Sequence, residues 1–392
     1  MCKCTTMKLQ TSPNIFVSLL STEYKNTKFR GFLQIFLTMF LVVPQTFSNF
    51  TLQKRTSSNN KLALNNRHAF SQQCMNRIID IIDRRENPFF SLEILPPLKG
   101  NSIYNVFDII DRLRKYDPKF VNITSHHSEY IYKPLPNGTH RRVSVVKRPG
   151  TVAIAAAIKH RYGMIPVPHL ICRGFSKEET EYALLDLNFL GINNIMLLRG
   201  DDKGFIIPEA EHYNFHEHAT DLQCQINLFN KGIGLEDTRI EGIQTPFSYG
   251  MACYPEKHEE APNMDSDIHF LKMKVDNGAD YLITQMFFDN EKYFAFVDRC
   301  RREGINVPII PGIKPLYRAS QLSSLPKVFR TDIPEPLASQ VRNCANDRDV
   351  KELGIKWCIR QCEELLNNGV PGIHFYTLGI SDGIARIAEK LF

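Results

Sequence analysis

From Met75 onward, short runs rich in β-branched and aromatic residues alternate with segments whose apolar positions recur every three or four residues. A strand buried on both faces reads as a continuous apolar run and its crossover helix as a 3.6-residue period, so this alternation is the mark of a parallel α/β fold. The runs predict strands at Phe89–Leu95, Phe120–Ser125, Pro168–Cys172, Asn194–Leu198, Tyr249–Tyr254, Tyr281–Phe287, Val307–Pro311 and Gly372–Leu378. Between them, SIYNVFDIIDRLRKY, SKEETEYALLDLNFLG and SDIHFLKMKVDNGAD read as amphipathic helices. Ser176 opens the second with Glu179 three residues on, a capping box, and Gly191 closes it. Eight strands, each followed by a helix, predict a (β/α)8 TIM barrel rather than an open doubly wound sheet. A dinucleotide fold is disfavoured further, because the first strand runs into EILPPLKG with no Gly-rich fingerprint.

In such a barrel the carboxyl ends of the strands carry chemistry and the amino ends carry stability. Those carboxyl ends are polar here: Glu93 interrupts the first strand, Thr124 ends the second, His169 lies in the third, Arg199, Gly200 and Asp201 follow the fourth, Tyr254 ends the fifth and Gln285 lies in the sixth. Glu93, in SLEILPP, is the sharpest feature. Burial raises a carboxyl pKa and suits a general acid near neutral pH, while an interior Glu paired with Lys or Arg fits the same pattern. In LLRGDD, Gly200 permits close backbone approach to a ligand and Asp201 can meet a cation or a donor; a plain polar loop has the same string. CYPEKH and DSDIHFLKMK gather Tyr254, His258, Asp267 and Lys274 around one loop and the helix after it, a set suited to an anionic cofactor with an aromatic ring.

His212, His216 and His218 with Glu211 and Glu217 invite a zinc reading that the spacing does not support. HEHAT puts Thr220 where the second His of a zinc helix belongs, and HEEAP after His258 meets Pro262. A solvated helix entrance is expected there, and no metal site. GFSKE lacks the second glycine of a nucleophile elbow.

Composition changes the picture mainly through charge. With 43% hydrophobic and 23% charged residues among 392, the chain has the make-up of a globular enzyme. Its formal charge of +6 is unevenly placed: residues 1–74 hold nine Lys and Arg against Glu23 alone, and the rest holds 39 basic against 41 acidic side chains. No basic surface for nucleic acid is expected in the folded part. Residues 31–44, GFLQIFLTMFLVVP, follow Lys25, Lys28 and Arg30 in the order of a signal core. The run is shorter than the ~20 apolar residues of a membrane helix, so no stable membrane insertion is expected. The Ser-, Thr-, Asn- and Gln-rich stretch after it reads as linker or disorder. An export signal, an acid-poor targeting presequence and a start placed upstream of a working initiator at Met75 are three explanations for the segment. The expected organisation is a basic, disordered extension over 1–74 and one barrel domain over 75–392. Ten cysteines without paired spacing fit a reducing cytoplasm, and Cys358 and Cys362, one helical turn apart, read as ordinary thiols.

Eight motifs, FFSLEILPP, FVNIT, PHLICRGFS, LRGDD, ACYPEKH, LKMKVDNGADYLITQMFFD, IIPGIKP and HFYTL, stand in this order at the strand ends. Together they resemble the methylenetetrahydrofolate reductase family from about Phe89 to Phe392. The resemblance implies a flavin-dependent (β/α)8 barrel, a homo-oligomer, that reduces 5,10-methylenetetrahydrofolate to 5-methyltetrahydrofolate and so supplies methyl groups for methionine synthesis. It implies FAD as the carrier, NADH or NADPH as the electron source, and ping-pong kinetics. Glu93 would be the general acid and Asp201 the carboxylate beside flavin and folate; Gln285 and Gln321, with Asp201, would hold the folate. FAD contacts are implied at Thr124, His169, Arg199, Gly200, Asp201, Ala219, Tyr254, His258, Asp267 and Lys274, with Ala219 the loosest correspondence because the segment before it is long.

Two positions depart from the family pattern. Ile380 stands after HFYTL where the family often has a basic residue for the folate, and Leu325 stands where it can use a phenylalanine against bound substrate. The chain ends just after the eighth helix, so neither a C-terminal regulatory domain nor inhibition by S-adenosylmethionine is expected. The rival readings are a flavin-free, folate-binding barrel methyltransferase and a non-catalytic flavin-binding relative.

Overall fold

The computed structural model describes residues 77–200, 214–243 and 245–392. The apolar run at 31–44, Met75, Asp201, Glu211 and His212 lie outside the described residues.

Strand β1 (Phe89–Ile94) shows how the barrel is built. Phe90, Leu92 and Ile94 are buried in a large outer cluster with the helices, whereas Phe89 belongs to a separate inner cluster. Side chains alternate along a strand, so Ser91 and Glu93 face the interior with Phe89. The remaining strands are β2 (Phe120–Ile123), β3 (Glu129–Pro134), β4 (His140–Val145), β5 (Ile165–Ile171), β6 (Asn194–Leu198), β7 (Ser248–Cys253), β8 (Tyr281–Thr284), β9 (Ile309–Ile310), β10 (Gly312–Ile313) and β11 (Gly372–Tyr376).

The large sheet runs β10-β11-β1-β2-β5-β6-β7-β8-β9, every pair parallel. Its two ends are halves of one strand. β9 pairs with β8 and β10 with β11, while the carbonyl of Pro311 between them accepts a bond from His374 N at 2.9 Å. The sheet therefore closes on itself in chain order, the predicted eight-stranded barrel. The seventh strand, expected at Val307–Pro311, instead straddles Pro311, which has no N–H to give a ladder and so divides it. Gly312 lies at this seam: a Cβ there would come 2.3 Å from the Thr284 carbonyl oxygen and 2.6 Å from the Tyr376 ring.

The helices are α1 (Ile78–Arg84), α2 (Tyr104–Leu113), α3 (Thr151–Tyr162), α4 (Lys177–Phe189), α5 (Ala219–Asn230), α6 (Met264–Asp276), α7 (Asn290–Arg302), α8 (Gln321–Phe329), α9 (Glu335–Arg342), α10 (Asp347–Asn367) and α11 (Asp382–Leu391). The capping box at α4 forms as predicted, with Ser176 Oγ accepting from Glu179 N at 3.1 Å and Glu179 Oε2 from Ser176 N at 2.8 Å. Gly191 follows α4 with φ +64, a left-handed turn that glycine adopts freely. Helix α1 was not expected. Its Ile78 and Ile82 join Phe89, Phe120 and Tyr281, each the first residue of its strand, in the inner cluster, so this helix plugs the amino end of the barrel. No helix of the described residues is long and apolar enough to cross a membrane.

The antiparallel hairpin β3–β4 between β2 and α3 was not predicted either. Its signal was present in EYIYKPLPNGTHRRVSV, where alternating residues flank Asn137-Gly138, and Gly138 takes φ +79 in the turn.

Candidate active site

Ser91, Glu93, Asn122, His169, His374 and Tyr376 alternate with outer-cluster residues on β1, β2, β5 and β11, and so project into the barrel. Glu93 pairs in register with Asn122 on one side and Tyr376 on the other. Its backbone carbonyl accepts from Thr377 Oγ1 at 2.7 Å and Thr377 N at 3.2 Å, which fixes the point from which the side chain leaves the strand. The Glu93 side chain is only 12% exposed, and its Oε2 lies 3.8 Å from Nε2 of His169, itself 5% exposed.

Burial, reinforced by the charge of His126, pushes His169 down to about 3. Burial and His169 likewise push His374 down to about 3. Both imidazoles are neutral at pH 7, so Glu93 faces a polar but uncharged ring. Nδ1 of His374 meets Ser91 Oγ at 2.8 Å, while Nε2 of His169 and of His374 have no hydrogen-bond partner among the described residues. Tyr376 donates to the Thr284 carbonyl at 2.6 Å. Its hydroxyl pKa is raised, first by burial and then by the Glu93 charge.

A second group gathers beyond β6 and β7. Gly200 has φ +90, and a Cβ there would come 3.3 Å from Ile171 Cβ, so this position calls for glycine on both counts. Arg199 pairs with Glu260 in the loop after β7, and that bond holds Glu260 below the usual carboxylate range. In the same loop the Tyr254 and His258 rings meet edge to face at 4.7 Å between centroids, and His258 N donates to Asp267 Oδ2 at 2.8 Å. Asp267 stands in the first turn of α6 and Lys274 seven residues on, with a side chain that leans back toward the amino end. Burial lowers the Lys274 pKa and Asp267 partly opposes it; burial also lowers His258. Ala219 is the first residue of α5, and Thr124, just past β2, bonds His126 Nε2 at 3.0 Å. Two cationic side chains, an aromatic pair and a glycine turn that admits backbone approach are a set whose chemistry suits an anionic cofactor with an aromatic ring, as a flavin dinucleotide would be.

Gln285 and Gln321 lie at the same end of the barrel, but their carbonyl oxygens are engaged. Gln285 Oε1 accepts from Met286 N at 2.9 Å, and Gln321 Oε1 accepts from Tyr317 N at 2.6 Å and Arg318 N at 3.0 Å. Gln321 therefore offers a ligand mainly its NH2 donors, while Gln285 Oε1 keeps one lone pair beside its NH2 group. Gln321→Glu keeps the oxygen that holds the 317–318 turn and removes the donor. It is expected to leave the unfolding free energy within about 0.5 kcal/mol of wild type and to raise the KM for the folate that the motif resemblance implies about tenfold, read by denaturant titration and steady-state kinetics on one preparation.

Leu325, one turn after Gln321, is buried with Met286, Phe288, Leu316 and Leu337 in a satellite cluster, so it is core here. Ile380 is partly exposed and lines a cleft at the rim. His216 is buried and bonds Gln225 Oε1 at 2.6 Å, while His218 is exposed at the start of α5 with its N–H on Asp221; among the described residues no metal-binding group forms. Cys358 and Cys362 are free thiols, sulfurs 4.0 Å apart. One residue in IIPGIKP had no assigned role: Lys314, past β10, is 3% exposed with its Nζ 5.3 Å from the Tyr317 ring centre.

The methylenetetrahydrofolate reductase family model matches residues 77–392. A protein of Salmonella typhimurium named 5,10-methylenetetrahydrofolate reductase is 32% identical over 326 residues, covering 83% of this chain and 97% of its own. A Caenorhabditis elegans protein named probable methylenetetrahydrofolate reductase (NADPH) is 31% identical over 318 residues, 80% of this chain and 44% of its own. An Arabidopsis thaliana protein named methylenetetrahydrofolate reductase (NADH) 1 is 30% identical over 312 residues, 77% and 48% respectively. The chain thus spans about half the length of the worm and plant relatives and nearly all of the bacterial one.

Proposed function

The chain belongs to the methylenetetrahydrofolate reductase family, and from that premise we propose that it reduces 5,10-methylenetetrahydrofolate to 5-methyltetrahydrofolate with NADH or NADPH through bound FAD, in ping-pong fashion. The observation that carries the reading is Glu93: a carboxyl 12% exposed, at the carboxyl end of a barrel strand, against a neutral imidazole. The product would feed methyl transfer to methionine, and a cytoplasmic homo-oligomer is proposed with it.

FAD, when bound, supplies a two-electron carrier that takes hydride from the nicotinamide and delivers it to the folate's methylene carbon. The residues of the chain prepare that carbon. Glu93 donates its proton to the departing nitrogen of the five-membered ring, the carbon–nitrogen bond opens, and the methylene becomes an electrophilic iminium. Neutral His169 beside the acid brings no positive charge against the forming cation. The NH2 groups of Gln285 and Gln321 meet acceptors on the folate. Asp201, next in sequence to Gly200, is proposed to oppose the iminium charge on the strength of the LRGDD match. Arg199, Lys274 and the Tyr254–His258 pair are proposed to hold the dinucleotide, with Thr124, His169, Gly200, Ala219 and Asp267 completing its surroundings.

A visible spectrum of the purified protein tests the reading. Flavin absorbance is expected, lost on anaerobic addition of NADH and restored by methylenetetrahydrofolate. A colourless protein that takes up no FAD defeats the proposal and favours the methyltransferase rival; a flavin bleached by NADH but untouched by folate favours the non-catalytic relative.

A further inference from the structure

The loop between β7 and α6 carries Glu256, Glu259 and Glu260, and each pairs with a cation from a different element. Glu260 meets Arg199 after β6. Glu259 Oε2 accepts from Arg330 Nε, just past α8, at 2.9 Å. Glu256 is the most enclosed of the three, with a side chain 10% exposed. Its Oε1 accepts from Lys292 Nζ of α7 at 2.9 Å, and its Oε2 accepts from the backbone N–H of Asp332, beyond α8, at 2.8 Å. Lys292 also bonds the Asp332 carboxylate, which closes a triangle. Burial lowers the Lys292 pKa, but the bonds to Asp332 and Glu256 outweigh it and hold the ammonium above its ordinary value.

The partners of Glu256 belong to the segments that carry the two amides. Lys292 lies on the helix that follows β8 and Gln285, and Asp332 ends the segment that Gln321 begins. Glu256 itself stands two residues beyond Tyr254. One carboxylate therefore joins the loop of the Tyr254–His258 pair to both glutamine-bearing segments. That loop has fastenings of its own on the other side, from Glu260 to Arg199 and from His258 N to Asp267. The amino end of α8 is also held separately, by Ala319 N donating to Asp347 Oδ1 at 3.0 Å. Between its ends Leu325 is packed in the core, so a shift at the Asp332 end is carried along the helix. Exposed ion pairs hold geometry weakly, whereas an enclosed carboxylate that serves an ammonium and a backbone N–H fixes both.

We infer that Glu256 is a positioning residue that sets the NH2 group of Gln321 for the folate, an inference that rests on the proposed reductase reading. It acts through α8 and not by contact with the substrate. Ångström-scale placement governs how well a donor serves an oriented ligand, so loosening the far end of α8 is felt at Gln321.

The test uses the full chain as purified, with FAD. The variants are Glu256→Ala, Glu256→Gln, Gln321→Glu, the double variant of Glu256→Ala with Gln321→Glu, and Arg342→Gln, which breaks an exposed pair with Glu335 on α9 as a control. Glu256→Ala is expected to raise the KM for methylenetetrahydrofolate about tenfold, with FAD affinity and flavin reduction by NADH within about twofold of wild type. Glu256→Gln, which keeps the size and one acceptor, should recover part of the loss. On a Gln321→Glu background, Glu256→Ala should add less than about threefold, because the donor it places is already gone. Arg342→Gln should match wild type. Hydrogen exchange with neither folate nor nicotinamide present reads the same fastening without turnover: Glu256→Ala should speed exchange over residues 321–332 and leave α6 unchanged. An unchanged folate KM in Glu256→Ala overturns the inference, as do unchanged exchange over 321–332, a multiplicative effect with Gln321→Glu, or equal losses in both half-reactions. Faster exchange over 321–332 in a chain that takes up no flavin would retain the fastening of α8 and remove the reductase.

Discussion

Replacing Glu93 with Gln is expected to leave NADH bleaching of the flavin within about twofold of wild type and to slow flavin reoxidation by methylenetetrahydrofolate by about 10³-fold, the scale of general acid catalysis. Glutamine has nearly the shape of protonated glutamic acid, and the bonds from Thr377 hold the backbone carbonyl of residue 93, so the swap leaves the strand in place. It removes the one proton that the proposed ring-opening needs. Stopped-flow absorbance resolves the two half-reactions separately. Equal slowing of both would take Glu93 out of the acid role and return it to the structural reading, an interior carboxyl packed near His169.

Lys314→Met is expected to stabilise the protein at pH 7 by about 1–3 kcal/mol. Lys314 is 3% exposed, and burial lowers its pKa from 10.5 to about 8, with Cys358 opposing slightly. Between pH 8 and 10.5 the unfolded chain holds a proton that the folded chain has released, so wild-type stability rises with pH through that window. Below pH 8 both states are protonated and the cost of burying the ammonium is complete, about 3 kcal/mol from the size of the shift. Methionine matches the length of the stem without the charge. Urea unfolding at pH 7 and near pH 10 should show wild type gaining on Lys314→Met as pH rises, the difference between the two isolating Lys314 from the buried thiols that titrate in both. A variant less stable than wild type at pH 7 would mean that the ammonium has an anionic partner outweighing its burial cost.

The strands were legible because each is buried on both faces, so β1, β2, β5, β6, β7, β8 and β11 read as apolar runs whose centres agree with the structure to within a few residues. Polar interruptions of those runs also marked Glu93 and His169, since a buried ladder rarely admits them without cause. The hairpin was missed because its residues are largely exposed on both faces, leaving a turn signal without the hydrophobic contrast that announces a strand. Plug helix α1, two turns long, was too short for its period to stand out.

By itself the sequence determined where chain segments become strands and helices, which polar residues stand at their carboxyl ends, and the family those motifs spell, because such properties depend on local order along the chain. Tertiary structure alone decided the rest. Closure required Pro311 and Gly312 to meet β8 and β11, partners distant along the chain. The neutrality of His169 depends on burial among side chains from other strands. The oxygens of Gln285 and Gln321 turned inward to backbone N–H groups that no spacing rule identifies. Arg148 joined the β1 loop only because a hairpin folded back across the rim. Electrostatics and hydrogen bonding act through space over a few ångströms, and which residues come that close is a property of the closed barrel rather than of the order of its letters.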